Sequence, residues 1–121
     1  MSTSPKHPNH IDYIELPADS AAGIAKVKAF YGATFGWSYK DWGDEYVDTA
    51  SSGVSSGFSA DASHRPAKPL VVIYTDDLEA ARGRVLDAGG TITRDIFAFP
   101  GGRRFHFTDP CGNELAAWSE R

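Results

Sequence analysis

The chain has 121 residues, enough for one domain with its own core, and its single cysteine, Cys111, has no intrachain partner, so disulfides are excluded as the source of stability. Sixteen acidic against twelve basic residues give a net charge of −4, with no Lys/Arg run to offset it, which argues against nucleic acid as a partner. No apolar run approaches the roughly 18 to 20 residues of a membrane span, and Met1–His10 has no apolar segment behind its basic residues, so the expectation is a cytoplasmic protein without a signal peptide or membrane contact.

Residues 1–9 hold two prolines and no periodic apolar pattern and read as a mobile tail before a single domain over 10–121. His10 to Leu16 alternates as a strand, with Ile14 and Leu16 on one face and Tyr13 and Glu15 on a face too polar for core. From about Ser20 the period becomes helical: Ile24, Val27, Phe30, Tyr31 and Phe35 form a stripe, Ser20 or Asp19 can cap the start, and Gly36 can end the helix. Strand-like pieces follow at Trp37–Trp42, Glu45–Thr49 and Val54–Phe58, separated by turn residues. These complete a first module, 10–60, and a polar linker with two prolines occupies 61–69.

The pattern then starts again in a second module, 70–120. Leu70–Thr75 is a β-branched strand; Asp76 is placed to cap a helix in a capping box with Glu79, and Leu78, Ala81, Val85 and Leu86 supply its apolar stripe. Thr91–Phe99 is a further β segment. In Arg103–Thr108, Phe105 and Phe107 share one face while Arg104, His106 and Thr108 share the other. Asp109 at position i, Pro110 at i+1 and Gly112 at i+3 write a type I turn, after which the chain returns as a strand from Glu114. Both halves thus run strand, helix, then about three strands, which predicts an α+β fold of two tandem βαβββ modules.

The segment GGRRFHFTDPCGNELAAW, with AFYGATFGW at the end of the first helix and the duplicated order, resembles the glyoxalase/bleomycin resistance/extradiol dioxygenase superfamily, the vicinal oxygen chelate fold, over about residues 10–120. The resemblance implies a cupped, mostly antiparallel sheet with helices on the outer face. It also implies homodimers, and isomerase, dioxygenase, thiol-transferase or binding functions. Metal-dependent members place His or Gln on the first strand and Glu on the last strand of each half. The matching positions here are Tyr13, Leu70, Ala116 and a place near Gly57, so the chain is expected to be a ligand-poor member with no metal or other cofactor. A shifted register using Glu114, Glu15, His106 and Tyr13 is the route by which a metal site would still form.

Family geometry would turn Arg104, His106, Glu114 and Trp118 into the cup beside Tyr13 and Glu15, and these six are the candidate ligand-binding residues. Arg104 offers a fork of donors for a carboxylate or phosphate, Trp118 a flat apolar face, and His106 a proton exchangeable near neutral pH. Taken without the resemblance, Arg104 and His106 on the polar face of a strand would be solvated and Trp118 would close the core. Arg103 is expected to snorkel, His64 to lie on the surface, and Trp37, Tyr39, Trp42 and Tyr46 to serve core or dimer packing.

Two functions from different classes follow. One is a metal-independent binder of a small polar or anionic molecule, of the bleomycin-resistance type, working as a homodimer. The other is a glyoxalase-type isomerase or lyase, similar to lactoylglutathione lyase, with His106 as acid or base and Arg104 stabilising developing charge. Whether the chain is an enzyme stays open between them, with a dioxygenase-related activity as a further possibility within the family.

Overall fold

The computed structural model describes residues 6–121, so residues 1–5 of the expected tail lie outside the described residues. Of the rest of that tail, Asn9 donates its backbone N–H to the Tyr74 carbonyl at 2.7 Å. The chain divides into two units, residues 13–70 and residues 71–121, with residues 6–12 belonging to the second.

The first module comprises β1 (His10–Pro17), α1 (Ala21–Phe35), β2 (Lys40–Asp41), β3 (Tyr46–Thr49) and β4 (Ser55–Ser59). The second comprises β5 (Leu70–Tyr74), α2 (Leu78–Asp87), β6 (Thr91–Phe99), β7 (Gly102–Thr108) and β8 (Glu114–Ser119). In the first, β4 pairs parallel with β1, Glu15 opposite Gly57, and antiparallel with β3, which in turn pairs with β2. In the second, β8 pairs parallel with β5, Val72 opposite Ala116, and antiparallel with β7, which pairs with β6. Each last strand therefore returns beside the first strand of its own module, and the tandem βαβββ order read from the sequence is the observed α+β topology.

Helix α1 starts where Ser20 Oγ accepts the N–H of Gly23 at 3.0 Å and stops at Gly36, whose φ of 74° is the left-handed conformation that glycine adopts without a Cβ penalty. Ile24, Val27 and Tyr31 pack with Ala18, Val47 and Phe58. Two members of the expected stripe do not join them. Phe30 is 58% exposed, a quarter-turn off the stripe, and Phe35, in the last turn, is 63% exposed and rests against Tyr31 and Trp37 instead of the sheet.

Helix α2 lays Leu78, Ala81 and Val85 on Phe105, Ala117, Ile92, Ile96 and Phe107. Enclosing side chains such as Leu78 and Phe105 stabilises the unit by about 1.5–3 kcal/mol each. Leu86 does not face this core and is largely exposed. The N-cap is also one residue later than expected. Asp77, not Asp76, has the extended backbone (φ −140°, ψ 96°) of a cap, and its carboxylate accepts the N–H of Ala80 at 3.0 Å. A capping box would need an acid at Ala80, so Glu79 is left free of that task and binds Arg103 at 2.6 Å.

The β7–β8 turn forms as read. Gly112 donates to the Asp109 carbonyl at 2.9 Å with φ of 84°, and the Asp109 carboxylate accepts from the N–H groups of Cys111 and Asn113 and from Asn113 Nδ2.

The position of the α2 cap is directly testable. Asp77→Ala is expected to lower unfolding free energy by about 1 kcal/mol in urea denaturation, whereas Asp76→Ala leaves it nearly unchanged.

Candidate functional site

The β7–β8 pairing places Arg104 opposite Trp118, His106 opposite Ala116, and Thr108 opposite Glu114. Side chains directly opposite share a face, so Arg104, His106, Trp118 and Glu114 all stand on the side away from α2, while Phe105 and Ala117 face the helix. Arg104, His106 and Trp118 are buried, at 4%, 7% and 1% exposure. Glu114, at the turn end, is exposed and accepts a hydrogen bond from Thr93 Oγ1 at 2.7 Å.

Strand β6 adds to this face a residue, Arg94, that alternation from Thr91 would not put there. Its register against β7 shifts twice, between Ile92 and Arg94 and again between Arg94 and Phe97. Arg94 consequently stands opposite His106, and Phe97, three residues on, opposite Arg104. The Arg94 guanidinium lies 3.8 Å from the centroid of the Phe97 ring, and that of Arg104 lies 5.3 Å from it and 5.7 Å from Phe99. Phe97 also meets His106, ring centroids 5.8 Å apart. The only sequence signal for these contacts is the surplus of residues in β6 relative to β7.

His106 is the electrostatic centre of the face. Burial disfavours its charged form, and the guanidiniums of Arg104 and Arg94 disfavour it further, so its pKa falls from 6.5 to about 4. The imidazole is neutral at pH 7, and its buried Nε2 has no hydrogen-bond partner among the described residues. Trp118 is held on several sides: its Nε1 donates to Asp12 Oδ1 at 3.0 Å, Tyr74 and Phe99 contact its ring, and the Lys6 ammonium lies 5.6 Å from the ring centroid. Burial raises the pKa of Asp12, with the indole hydrogen bond acting in the opposite direction.

In the first unit Tyr13 and Glu15, both buried, are joined through Tyr46. Tyr46 donates to Glu15 Oε2 at 3.2 Å, so its only proton is used and the 2.6 Å contact between the two phenols is donated by Tyr13. Tyr46 thus belongs to the polar face and not to the packing role expected of it. Gly57 makes room for this chain: a Cβ there would overlap the Tyr13 hydroxyl and come within 2.7 Å of the Val47 carbonyl oxygen. Of the other expectations, Arg103 is tied to Glu79 and to the Arg121 carbonyl, and His64 is exposed beside Asp61 at 2.9 Å. Trp42 is half exposed with Lys40 over its ring.

The register identifies Gly57 as the first-module counterpart of Ala116, since each stands opposite the matching residue of its first strand, Glu15 and Val72. Of the positions that the resemblance implies for metal ligands, Tyr13, Gly57, Leu70 and Ala116, Tyr13 alone carries a side-chain oxygen, and that hydroxyl is engaged with Tyr46. A divalent cation needs several N, O or S donors. These residues do not fit one, and among the described residues no group of three or more His, Cys, Asp or Glu is arranged to hold a metal. A hollow of about 310 Å³ lies elsewhere, against α2, lined by Ile73, Ala81, Val85, Phe105 and Phe107 among others. None of the six candidate residues lines it.

The sequence model of the Glyoxalase/Bleomycin resistance protein/Dioxygenase superfamily matches residues 10–117. No curated protein matches the sequence. Among solved structures the chain is similar to the Mn(II)-bound glyoxalase from Novosphingobium aromaticivorans (19% identity, TM-score 0.65), covering 93% of this chain but 39% of that one. It is also similar to a glyoxalase/bleomycin resistance protein/dioxygenase superfamily member from Vibrio splendidus 12B01 (17%, TM-score 0.65, covering 88% and 96%). A third is methylmalonyl-CoA epimerase from Mycobacterium tuberculosis (12%, TM-score 0.64, covering 98% and 92%). At these identities the likeness is one of fold. No helix among the described residues is long and apolar enough to cross a membrane.

The His106 environment sets a pH dependence. Above pH 6.5 the imidazole is neutral folded and unfolded; between 6.5 and about 4 the unfolded chain takes a proton that the folded chain refuses, so stability falls as pH falls. The loss amounts to roughly 3 kcal/mol across that window. In urea titrations His106→Gln is expected to remove this part of the slope, and the His106 ring protons should titrate near pH 4 by NMR.

Proposed function

The chain belongs to the glyoxalase/bleomycin resistance protein/dioxygenase superfamily, and on that footing we propose that it is a metal-independent, cytoplasmic binder of a small molecule bearing an anionic group. The ligand meets the face of the second unit that presents Arg104, His106 and Trp118. The observation that carries this reading is the charge on that face: both ionic influences on the buried His106 are cationic, within a chain whose net charge is −4. A guanidinium held at 4% exposure beside aromatic rings is a strong hydrogen-bond donor to an anion, because low dielectric and few competing waters raise the value of each charge-assisted hydrogen bond. The rings of Phe97, Phe99 and Trp118 supply apolar surface around it.

The alternative, an isomerase or lyase with His106 as base, draws on the unpartnered Nε2. An imidazole with a pKa of about 4 is a weak base at neutral pH, and the ligand-poor family positions leave only guanidiniums to stabilise an enolate, so binding is the better-supported function.

A thermal-shift screen of small carboxylates, phosphates, thiols and aromatic compounds tests the binding reading. A ligand at 100 times its dissociation constant adds about 2.7 kcal/mol to stability. The stabilisation should vanish in Arg104→Ala; a hit that survives this substitution would move the site elsewhere.

The exposed aromatic residues Phe30, Phe35 and Trp42 support the homodimer expected of this family. Light scattering at micromolar concentration should return twice the monomer mass, and a monomer would remove this element of the proposal.

A further inference from the structure

We propose that Arg94, which alternation along β6 would not place on this face, is the solvent-side anion contact of the binding face, and that it acts with His106 Nε2 to grip the carboxylate of an aryl carboxylate. The inference rests on the reading of this face as an anion-binding surface and names the class of anion and the residue that meets it. Three observations carry it. Neighbouring cations are neutralised within the fold, Arg82 by Asp95 at 2.8 Å and Arg103 by Glu79 at 2.6 Å, whereas Arg94 has no ion pair among the described residues. The two register shifts deliver Arg94 to a position opposite His106, so the guanidinium and the imidazole are cross-strand neighbours on one face. His106 is 7% exposed, yet its Nε2 has no partner among the described residues, and a buried polar nitrogen left unsatisfied is destabilising unless something outside the protein completes it.

The chemistry of the pair selects a carboxylate. Resting 3.8 Å from the Phe97 centroid, the Arg94 group keeps its carbon on the ring and its N–H donors at the periphery, where a planar two-oxygen acceptor can take them. A neutral imidazole protonated at Nε2 donates once more, to one oxygen of the same group. Arg94 is only half-buried and so is reachable from solvent, while Arg104 behind it supplies positive potential without having to move. The aromatic side chains Phe97 and Phe99 favour a ring on the ligand over a purely aliphatic acid.

Calorimetric titration of the full chain with sodium benzoate and with benzamide, its neutral isostere, tests the pair. The wild-type chain should prefer benzoate by at least about ten-fold, and Arg94→Ala should weaken benzoate by about 10- to 100-fold while leaving benzamide within about two-fold. His106→Phe should also weaken benzoate, because it removes the donor and keeps the ring. Arg94→Gln retains the stem over Phe97 and separates folding from contact. A benzoate loss seen in Arg94→Ala but not in Arg94→Gln overturns the proposal, as does benzoate binding that needs Arg104 but not Arg94. In the latter case the anion-binding reading of the face survives. Absence of benzoate binding to the wild-type chain at millimolar concentration overturns the aryl carboxylate assignment, while the broader reading is decided separately by the thermal-shift screen.

Discussion

The antiparallel register of β7 on β8 is the constraint on which the second unit depends. It is set locally, by the Asp109 carboxylate gathering the N–H groups of Cys111 and Asn113 and by a positive φ at Gly112 that an L side chain would strain. Because the side-chain period of a strand is 2, a slip of one residue would send Arg104 and His106 into the Leu78–Phe105 core and bring Phe105 and Phe107 to the polar side. The turn therefore decides which chemistry each face carries. The same carboxylate network holds the Asp109 pKa below its ordinary value, with Asn113 the largest contributor, so the turn keeps its acceptor charged over the range in which the face would bind an anion.

What the sequence makes legible follows from the range of the forces involved. Alternation, helical period, caps and turn residues are local, and they locate both helices, the β7–β8 turn and the repeated βαβββ order. Errors arise where a local rule has two nearly equal solutions. Asp76 and Asp77 are both competent caps, and only the backbone conformation at residue 77 chooses between them. Phe30 stands a quarter-turn off the stripe, whereas Phe35 satisfies it and is exposed because burial depends on where the partner surface ends. The largest omission, Arg94 and Phe97 on one face, comes from β6: with two extra residues against β7, simple alternation assigns these two side chains to opposite faces. Bulges are specified by the pairing of two strands, which one strand read alone does not contain.

The two modules share topology and have parted in chemistry at equivalent positions. In the first, Glu15 lies opposite Gly57, and the missing side chain is replaced by the Tyr13 hydroxyl, which leads through Tyr46 to the carboxylate. In the second, Val72 lies opposite Ala116, and polarity has moved to the next two strands, to His106 and Arg104 on β7 and Arg94 on β6. One module carries a carboxylate that accepts from the Tyr46 phenol; the other carries guanidiniums around an imidazole. Divergence of this kind leaves the fold undisturbed, since none of the side chains at these positions lies in the helix-facing clusters.

Keeping His106 neutral follows from the same arrangement. A protonated imidazole between two guanidiniums would add a third positive charge to a poorly solvated place, and the fold avoids this by lowering the pKa to about 4. A neutral imidazole keeps one donor and one acceptor nitrogen, whereas imidazolium has two donors, so the face retains a directional hydrogen bond beside its undirected positive potential. An anion bound there would offset the repulsion from the guanidiniums, so protonating the imidazole would cost less than in the free chain and the His106 pKa would rise toward its ordinary value. Binding and protonation would then be thermodynamically linked, and affinity would strengthen as pH falls through the interval between the free and bound pKa values while the ligand carboxylate stays ionised.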